Sequence, residues 1–194
     1  MIKRIDHVSL AVADYERARV FFTELLDLVP GACGSDERSG FFWQLFTCGD
    51  LSRFELISPT GKGSFLDPFL EGKSGAVHHV TIQVSDIVEA AKRLDFLKVP
   101  YFGFNDKYEN WKELFIHPRD AFGLLIQFAQ FDPAEWLDRS QCVEDGQKWE
   151  ISVNENRMHL AIAHPGGGRV GSEFTTAELD MLISELSAAR ERMK

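Results

Sequence analysis

Cysteine is scarce in this sequence, long apolar runs are missing, and positive charge falls short of negative. Three cysteines in 194 residues (Cys33, Cys48 and Cys142) lie far apart without a C-x-x-C spacing. That excludes a zinc knuckle and a disulfide framework, and it leads us to expect a reducing, cytoplasmic setting. No apolar run approaches the roughly 18 residues that a membrane-spanning helix needs. The segment Met1–His7 has no apolar stretch and no small-residue cleavage site, so a secretory signal is not expected. With 21 Lys+Arg against 30 Asp+Glu the net charge is -9, which would repel a phosphate backbone or an anionic bilayer. Neither nucleic acid nor membrane is therefore an expected partner. What is present, 44% hydrophobic and 26% charged residues, suits one ordinary packed domain or two small ones and excludes disorder, collagen and coiled coil.

The chain repeats itself. Asp6-His7-Val8-Ser9-Leu10 reads against His78-His79-Val80-Thr81-Ile82, and a constant offset of 72 residues also carries Val12 onto Val84, Asp14 onto Asp86 and Phe54-Glu55-Leu56 onto Ile126-Gln127-Phe128. Each copy reads as β-α-β-β-β. Strands are expected over 4–12 and 76–84, where β-branched residues alternate with others. Asp14 and Asp86 sit where helix N-caps belong, with helices expected over 16–26 and 87–97. Extended runs follow near 29–34, 41–48 and 52–58, mirrored by 99–104, 111–117 and 122–130, with Gly, Pro and Asn-Asp breakers between them. Residues 64–72 suggest a short helical connection. Beyond a polar stretch at 131–148, a three-strand meander (149–153, 158–163, 169–174) precedes a helix that opens with a capping box, Thr175 to Glu178, and carries a stripe of Leu179, Leu182, Ile183, Leu186 and Ala189. The expected architecture is α+β: paired βαβββ modules (3–60 and 75–131) forming a cupped, open eight-stranded sheet in a domain of residues 1–131, with a β-meander and helix at 132–194.

Strand parity singles out four side chains. Successive residues of a strand point to opposite faces, so Val8, Leu10 and Val12 share one face and His7, Ser9 and Ala11 the other. The same alternation separates Val80, Ile82 and Val84 from His79, Thr81 and Gln83. In the closing strands it separates Phe54 and Leu56 from Glu55, and Ile126 and Phe128 from Gln127. If the helices pack on the apolar faces, the remaining face carries His7, Glu55, His79 and Gln127 from four strands. His78 takes the phase of Asp6 and is expected to face out or pair locally. Taken singly, a strand histidine is usually a satisfied, half-buried side chain. At matched positions, two imidazoles, a carboxylate and an amide oxygen make a ligand set for a divalent ion such as zinc, iron, cobalt or nickel.

Ile5-Asp6-His7-Val8, Glu55-Leu56-Ile57-Ser58-Pro59, Phe69-Leu70 ahead of Val77-His78-His79-Val80, and Phe115-Ile116-His117-Pro118 leading into Gly123-Leu124-Leu125-Ile126-Gln127 resemble the vicinal oxygen chelate superfamily (glyoxalase, bleomycin resistance, dioxygenase), and within it the methylmalonyl-CoA epimerases. The resemblance covers about residues 3–131 and implies one divalent metal ion (Zn, Co, Ni, Mn or Fe) on His7, Glu55, His79 and Gln127. It also implies a small-molecule substrate, an acyl-CoA or a 2-oxo or 2-hydroxy acid derivative, and a homodimer. Two departures stand out. The amide and acid ligands have exchanged modules, since the epimerases place the amide first. The family's second proton-transfer acid would fall near Phe42-Trp43-Gln44, where this chain has none. Gln127 also counts against extradiol cleavage and a standard glyoxalase, both of which place a carboxylate there. What remains is a metal-dependent isomerase or lyase that stabilises an enolate, with Glu55 as the candidate base. The alternative is a non-catalytic protein that sequesters a small ligand in the same fold.

Aromatic residues at matching hairpins, Gly40-Phe41-Phe42-Trp43 and Tyr101-Phe102-Gly103-Phe104, suggest an apolar substrate pocket with Trp43 and Tyr101 as lining candidates. Ordinary core filling explains them equally well. Lys107, Lys112 and Arg119 could meet a substrate anion, but solvated charge is the simpler account. His164-Pro165-Gly166-Gly167-Gly168 lies between two strands and reads as a hairpin turn rather than a phosphate loop.

Overall fold

The structure, a computed structural model, describes residues 2–48, 52–132, 137, 139 and 142–193. It forms two compact units, Met1–Asp138 and Arg139–Lys194.

In the first unit, β1 (Ile2–Val12) leads through Asp14 into α1 (Tyr15–Val20), then β2 (Val29–Asp36), β3 (Phe41–Thr47) and β4 (Arg53–Pro59). A four-residue helix, α2 (Asp67–Leu70), connects this module to its copy: β5 (Gly75–Val84), α3 (Ile87–Leu97), β6 (Phe102–Asn105), β7 (Lys112–Ile116) and β8 (Ile126–Gln130). Both helix starts follow from their caps. The Asp14 side chain accepts from the Arg17 amide at 3.0 Å, and Asp86 accepts from the Val88 and Glu89 amides at 2.8 and 3.0 Å. The first helix differs from expectation, because its second half, Phe21–Leu25, widens into a π-turn. There the Thr23 hydroxyl donates to the Arg19 carbonyl at 3.0 Å and competes with the helical ladder.

The sheet order β2-β3-β4-β1-β5-β8-β7-β6 displays the repeat as a pseudo-twofold. β1 and β5 pair antiparallel at the centre, while β1–β4 and β5–β8 are parallel. The register places Ser9 opposite both Glu55 and His79, and Thr81 opposite both His7 and Gln127. The four candidate ligands thus surround two small hydroxyl residues at the middle of the sheet. On the helix side, Val84, Ile87, Ala90, Leu94 and Leu114 form one core cluster and Val12, Phe22, Phe46 and Leu56 another. On the cup side of the first module, Ala11, Ile57, Leu66 and Leu70 form a third. Burying these faces supplies the main driving force for the cup.

The second unit contains β9 (Trp149–Asn154), β10 (Arg157–Ala163) and β11 (Arg169–Phe174) in the order β11-β10-β9, followed by α4 (Thr176–Arg192). The Thr175–Glu178 capping box is formed on both sides. The expected apolar stripe is only partly used: Leu179, Leu182 and Ala189 are half-buried, whereas Ile183 and Leu186 are exposed. The His164–Gly168 segment is the turn joining β10 to β11, with the Gly167 amide donating to the His164 carbonyl at 2.8 Å and positive φ at Gly167 and Gly168. No helix of the described residues is long and apolar enough to cross a membrane, and Cys33, Cys48 and Cys142 are not disulfide-bonded.

Candidate metal centre

The cup encloses a cavity of about 900 Å³, with His7, Glu55, His79 and Gln127 among its lining residues. Ligand atoms of His7, Glu55 and His79 all lie within 4.8 Å of one another. Glu55 Oε2 is 3.7 Å from His7 Nε2 and 3.6 Å from His79 Nε2. It is buried and has no hydrogen-bond partner among the described residues. Donors bound about 2.0–2.2 Å from a shared cation sit roughly 3.0–3.5 Å apart, close to this spacing. A buried carboxylate oxygen without a donor is costly, whereas one facing a cation is satisfied. The donor set therefore fits a divalent ion.

Each imidazole is oriented by the residue before it. Asp6 lies at a bulge in β1, so it is buried beside His7 instead of alternating to the other face. Its Oδ2 is 2.8 Å from His7 Nδ1, and a proton there leaves the Nε2 lone pair for the basin. Arg53 and Arg4 complete a buried charge cluster around Asp6. Burial alone would raise the Asp6 carboxyl, but the His7 hydrogen bond and the charges of Arg53, His7 and Arg4 outweigh it and hold the group well below the usual carboxylate range. At the symmetry-related place His78 pairs with His79, Nδ1 to Nδ1 at 2.9 Å, and it lines the cavity. Burial, together with the nearby His7 and His78, depresses His79 and keeps it neutral and able to ligate. Burial raises the Glu55 carboxyl, while the charges of His7 and Arg53 oppose the shift.

Gln127 joins this group through Thr81, whose hydroxyl lies 2.8 Å from His7 Nε2 and within hydrogen-bond distance of Gln127 Oε1, so that its single proton goes to one acceptor or the other. A residue that the sequence reading missed fixes the other end of the amide. Glu113 Oε2 accepts from Gln127 Nε2 at 2.7 Å and from Trp111 Nε1 at 2.9 Å. A carboxylate oxygen cannot donate, so Glu113 selects Nε2 and turns Oε1 toward Thr81 and the basin. Glu113 is also a carboxylate lining the cavity from the second module. The alternation of Glu113 and Phe115 with Leu114 and Ile116, which pack on the α3 side, is the signal that could have found it.

The two aromatic candidates separate. Trp43 lines the cavity. Tyr101 does not: it packs against the α3 core cluster, and its neighbour Phe102 lines the cavity instead. The correction is one of phase, since consecutive side chains entering β6 point to opposite faces.

Residues 6–112 match the Glyoxalase/Bleomycin resistance protein/Dioxygenase superfamily. The chain is 32% identical over 134 residues to an ethylmalonyl-CoA/methylmalonyl-CoA epimerase of Cereibacter sphaeroides, an alignment that spans 67% of this chain and 99% of the relative. It is 31% identical over 130 residues to the mitochondrial methylmalonyl-CoA epimerase of Bos taurus, spanning 66% of this chain and 74% of that protein. Among solved structures, the methylmalonyl-CoA epimerase from Mycobacterium tuberculosis superposes with a TM-score of 0.60 at 25% identity, covering 69% of this chain and 91% of the other.

Proposed function

Because the chain belongs to the glyoxalase/bleomycin resistance protein/dioxygenase superfamily, whose relatives of this chain are isomerases, we propose that it is a metal-dependent isomerase or lyase acting at a carbon beside a carbonyl. His7, Glu55, His79 and Gln127 would hold one divalent ion (Zn, Co, Ni, Mn or Fe). The observation that carries this reading is the buried Glu55 Oε2, facing two imidazole nitrogens with no hydrogen-bond donor. A bound divalent ion supplies Lewis acidity to adjacent substrate oxygens and stabilises the negative charge of an enolate.

The residues of the chain do the rest. Asp6 and His78 keep the two histidines oriented. Glu113 keeps the Gln127 amide in the rotamer with its oxygen inward. Glu55 is the base that takes the proton from carbon, since an amide at 127 cannot. Glu113 reaches the same cavity from the other module, so a second carboxylate is within the site although none occurs near residues 42–44. The reaction named for the relatives, acyl-CoA epimerisation, is of this enolising type, and a 2-oxo or 2-hydroxy acid derivative would enter the same chemistry. We assign it to residues 1–131, with 132–194 as an extension without chemistry of its own. We place the protein in the cytoplasm on its few, widely spaced cysteines, and we expect a homodimer from the family.

Solvent exchange tests this reading. In D2O the metal-loaded protein should wash deuterium into the substrate C–H of methylmalonyl-CoA or of a 2-hydroxy acid, and Glu55→Gln should abolish it. Tight binding without exchange across such a panel would instead support a protein that sequesters its ligand.

A further inference from the structure

The walls above the four candidate ligands are built from aromatic rings contributed by both modules. Phe41, Trp43 and Phe65 line one side and Phe102, Trp111 and Phe115 the other. Packing holds these rings in place. Phe41 meets Phe65 edge to face at 5.1 Å, Phe102 stacks on Phe115 at 5.5 Å, and Trp111 stacks on Phe131 at 5.0 Å. Two glycines make room for them. A Cβ on Gly34 would come within 3.0 Å of the Trp43 indole, and one on Gly103 within 3.0 Å of the Phe115 ring. Gly103 also adopts φ 64, where a side chain is strained. Phe65 and Phe102 remain 46% and 48% exposed. Large apolar rings left half-open over a polar floor mark a ligand surface more readily than a core.

Polar groups in the cavity point the same way. Among its described lining residues there is no lysine or arginine, and Asp36, Glu55 and Glu113 are acids. The phosphates of a coenzyme A arm would find no counter-charge there. The amides of that arm would meet walls made mostly of ring carbon, with Ser39, His78 and His117 among the few polar neighbours, and each amide left unpaired weakens binding. A short branched acyl group would leave most of the 900 Å³ unfilled. A planar ring beside the chelating oxygens would fill the slot and stack on both walls, where aromatic pairs prefer centroid separations of about 4.5–7 Å.

We infer that the substrate of this site is a 2-hydroxy or 2-oxo acid bearing an aryl group, with the adjacent oxygens over His7, Glu55, His79 and Gln127 and the ring between the two aromatic walls. This inference rests on the cation-dependent enolising reading above.

Mandelate and lactate test it as a matched pair, because they share a 2-hydroxy acid head and differ in the ring. Zinc uptake by the metal-depleted full chain is measured first, and both ligands are then titrated calorimetrically into the zinc-loaded protein. Mandelate should bind at least about tenfold tighter than lactate, the gain expected from burying one ring. Phe65→Ala and Phe102→Ala remove half-exposed rings, which the fold should tolerate. Each should weaken mandelate severalfold more than it weakens lactate, with zinc uptake retained. Zinc uptake with mandelate no tighter than lactate, with neither acid bound, or with methylmalonyl-CoA bound more tightly than mandelate would overturn the aryl assignment alone. Failure to take up zinc or cobalt would overturn the metal-dependent reading beneath it.

Discussion

Replacing Glu113 with leucine deletes the acceptor for two N–H donors, Gln127 Nε2 at 2.7 Å and Trp111 Nε1 at 2.9 Å, while leaving all four candidate metal ligands in the sequence. The Thr81 hydroxyl at the other end of the amide can donate or accept, so it discriminates little between oxygen and nitrogen. Glu113, which only accepts, selects the rotamer with the oxygen inward. A hydrogen bond to a charged group is worth about 1.5–3 kcal/mol, and losing a group that orients a ligand typically costs about 10–100-fold in metal affinity. The two ranges agree, because about 1.4 kcal/mol corresponds to a factor of ten. Glu113→Leu should therefore weaken cobalt or zinc binding by about 10–100-fold in competition with a chromogenic chelator, and it should alter the visible spectrum of the cobalt-loaded protein. Glu113→Gln keeps an acceptor oxygen, so it should stay within about threefold of the parent and retain the spectrum. If the leucine variant binds cobalt with parental affinity and an unchanged spectrum, Glu113 does not orient Gln127 and the four-ligand arrangement is wrong at that corner.

Asp6→Ala removes the buried carboxylate that pairs with Arg53 and accepts from His7, so we expect a loss of about 3–5 kcal/mol, read as a large drop in thermal midpoint. The depressed Asp6 carboxyl contributes stability that is fully present above its ordinary value near 3.8 and is lost as pH falls through its lower folded-state value. The depressed His79 acts in a higher window: the unfolded chain gains a proton there below about pH 6.5 and the folded protein does not, so stability of the metal-free protein falls as pH drops below that value. Urea unfolding from pH 8 to 3 should show both phases, and only the lower one should vanish in Asp6→Asn. Leu114→Ala empties a fully buried position in the α3 cluster and should cost about 2–5 kcal/mol by the same assay. Thr175→Ala breaks the capping box and should lower the stability of α4 by about 1 kcal/mol, with the loss of helical circular dichroism on heating beginning earlier.

Much of the cup was legible because its signals are local. The 72-residue repeat, the two Asp N-caps and the alternation along β1 and β5 depend only on neighbouring residues, and α3 begins and ends where its spacing says. The same alternation selected His7, Glu55, His79 and Gln127, because a half-buried strand has one face for the core and one for the site. It failed where phase is interrupted. The β1 bulge brought Asp6 into the site, and the matching of hairpins that suggested Tyr101 carried no strand phase, so it missed that Phe102 takes the lining position. The half-used stripe of α4 also left no trace in periodicity, since it depends on how that helix meets its strands.

Residue order alone decided the repeat, the strand faces and the types of donor available, because those follow from backbone stereochemistry and side-chain chemistry over a few residues. Only the folded sheet decided that Glu55 Oε2 would be buried without a hydrogen-bond donor, that Glu113 would hold the Gln127 amide across two strands, and that rings from both modules would face each other above the basin. Those relations join residues far apart in the chain, and their distances are set by strand register and packing rather than by anything a short stretch of sequence encodes.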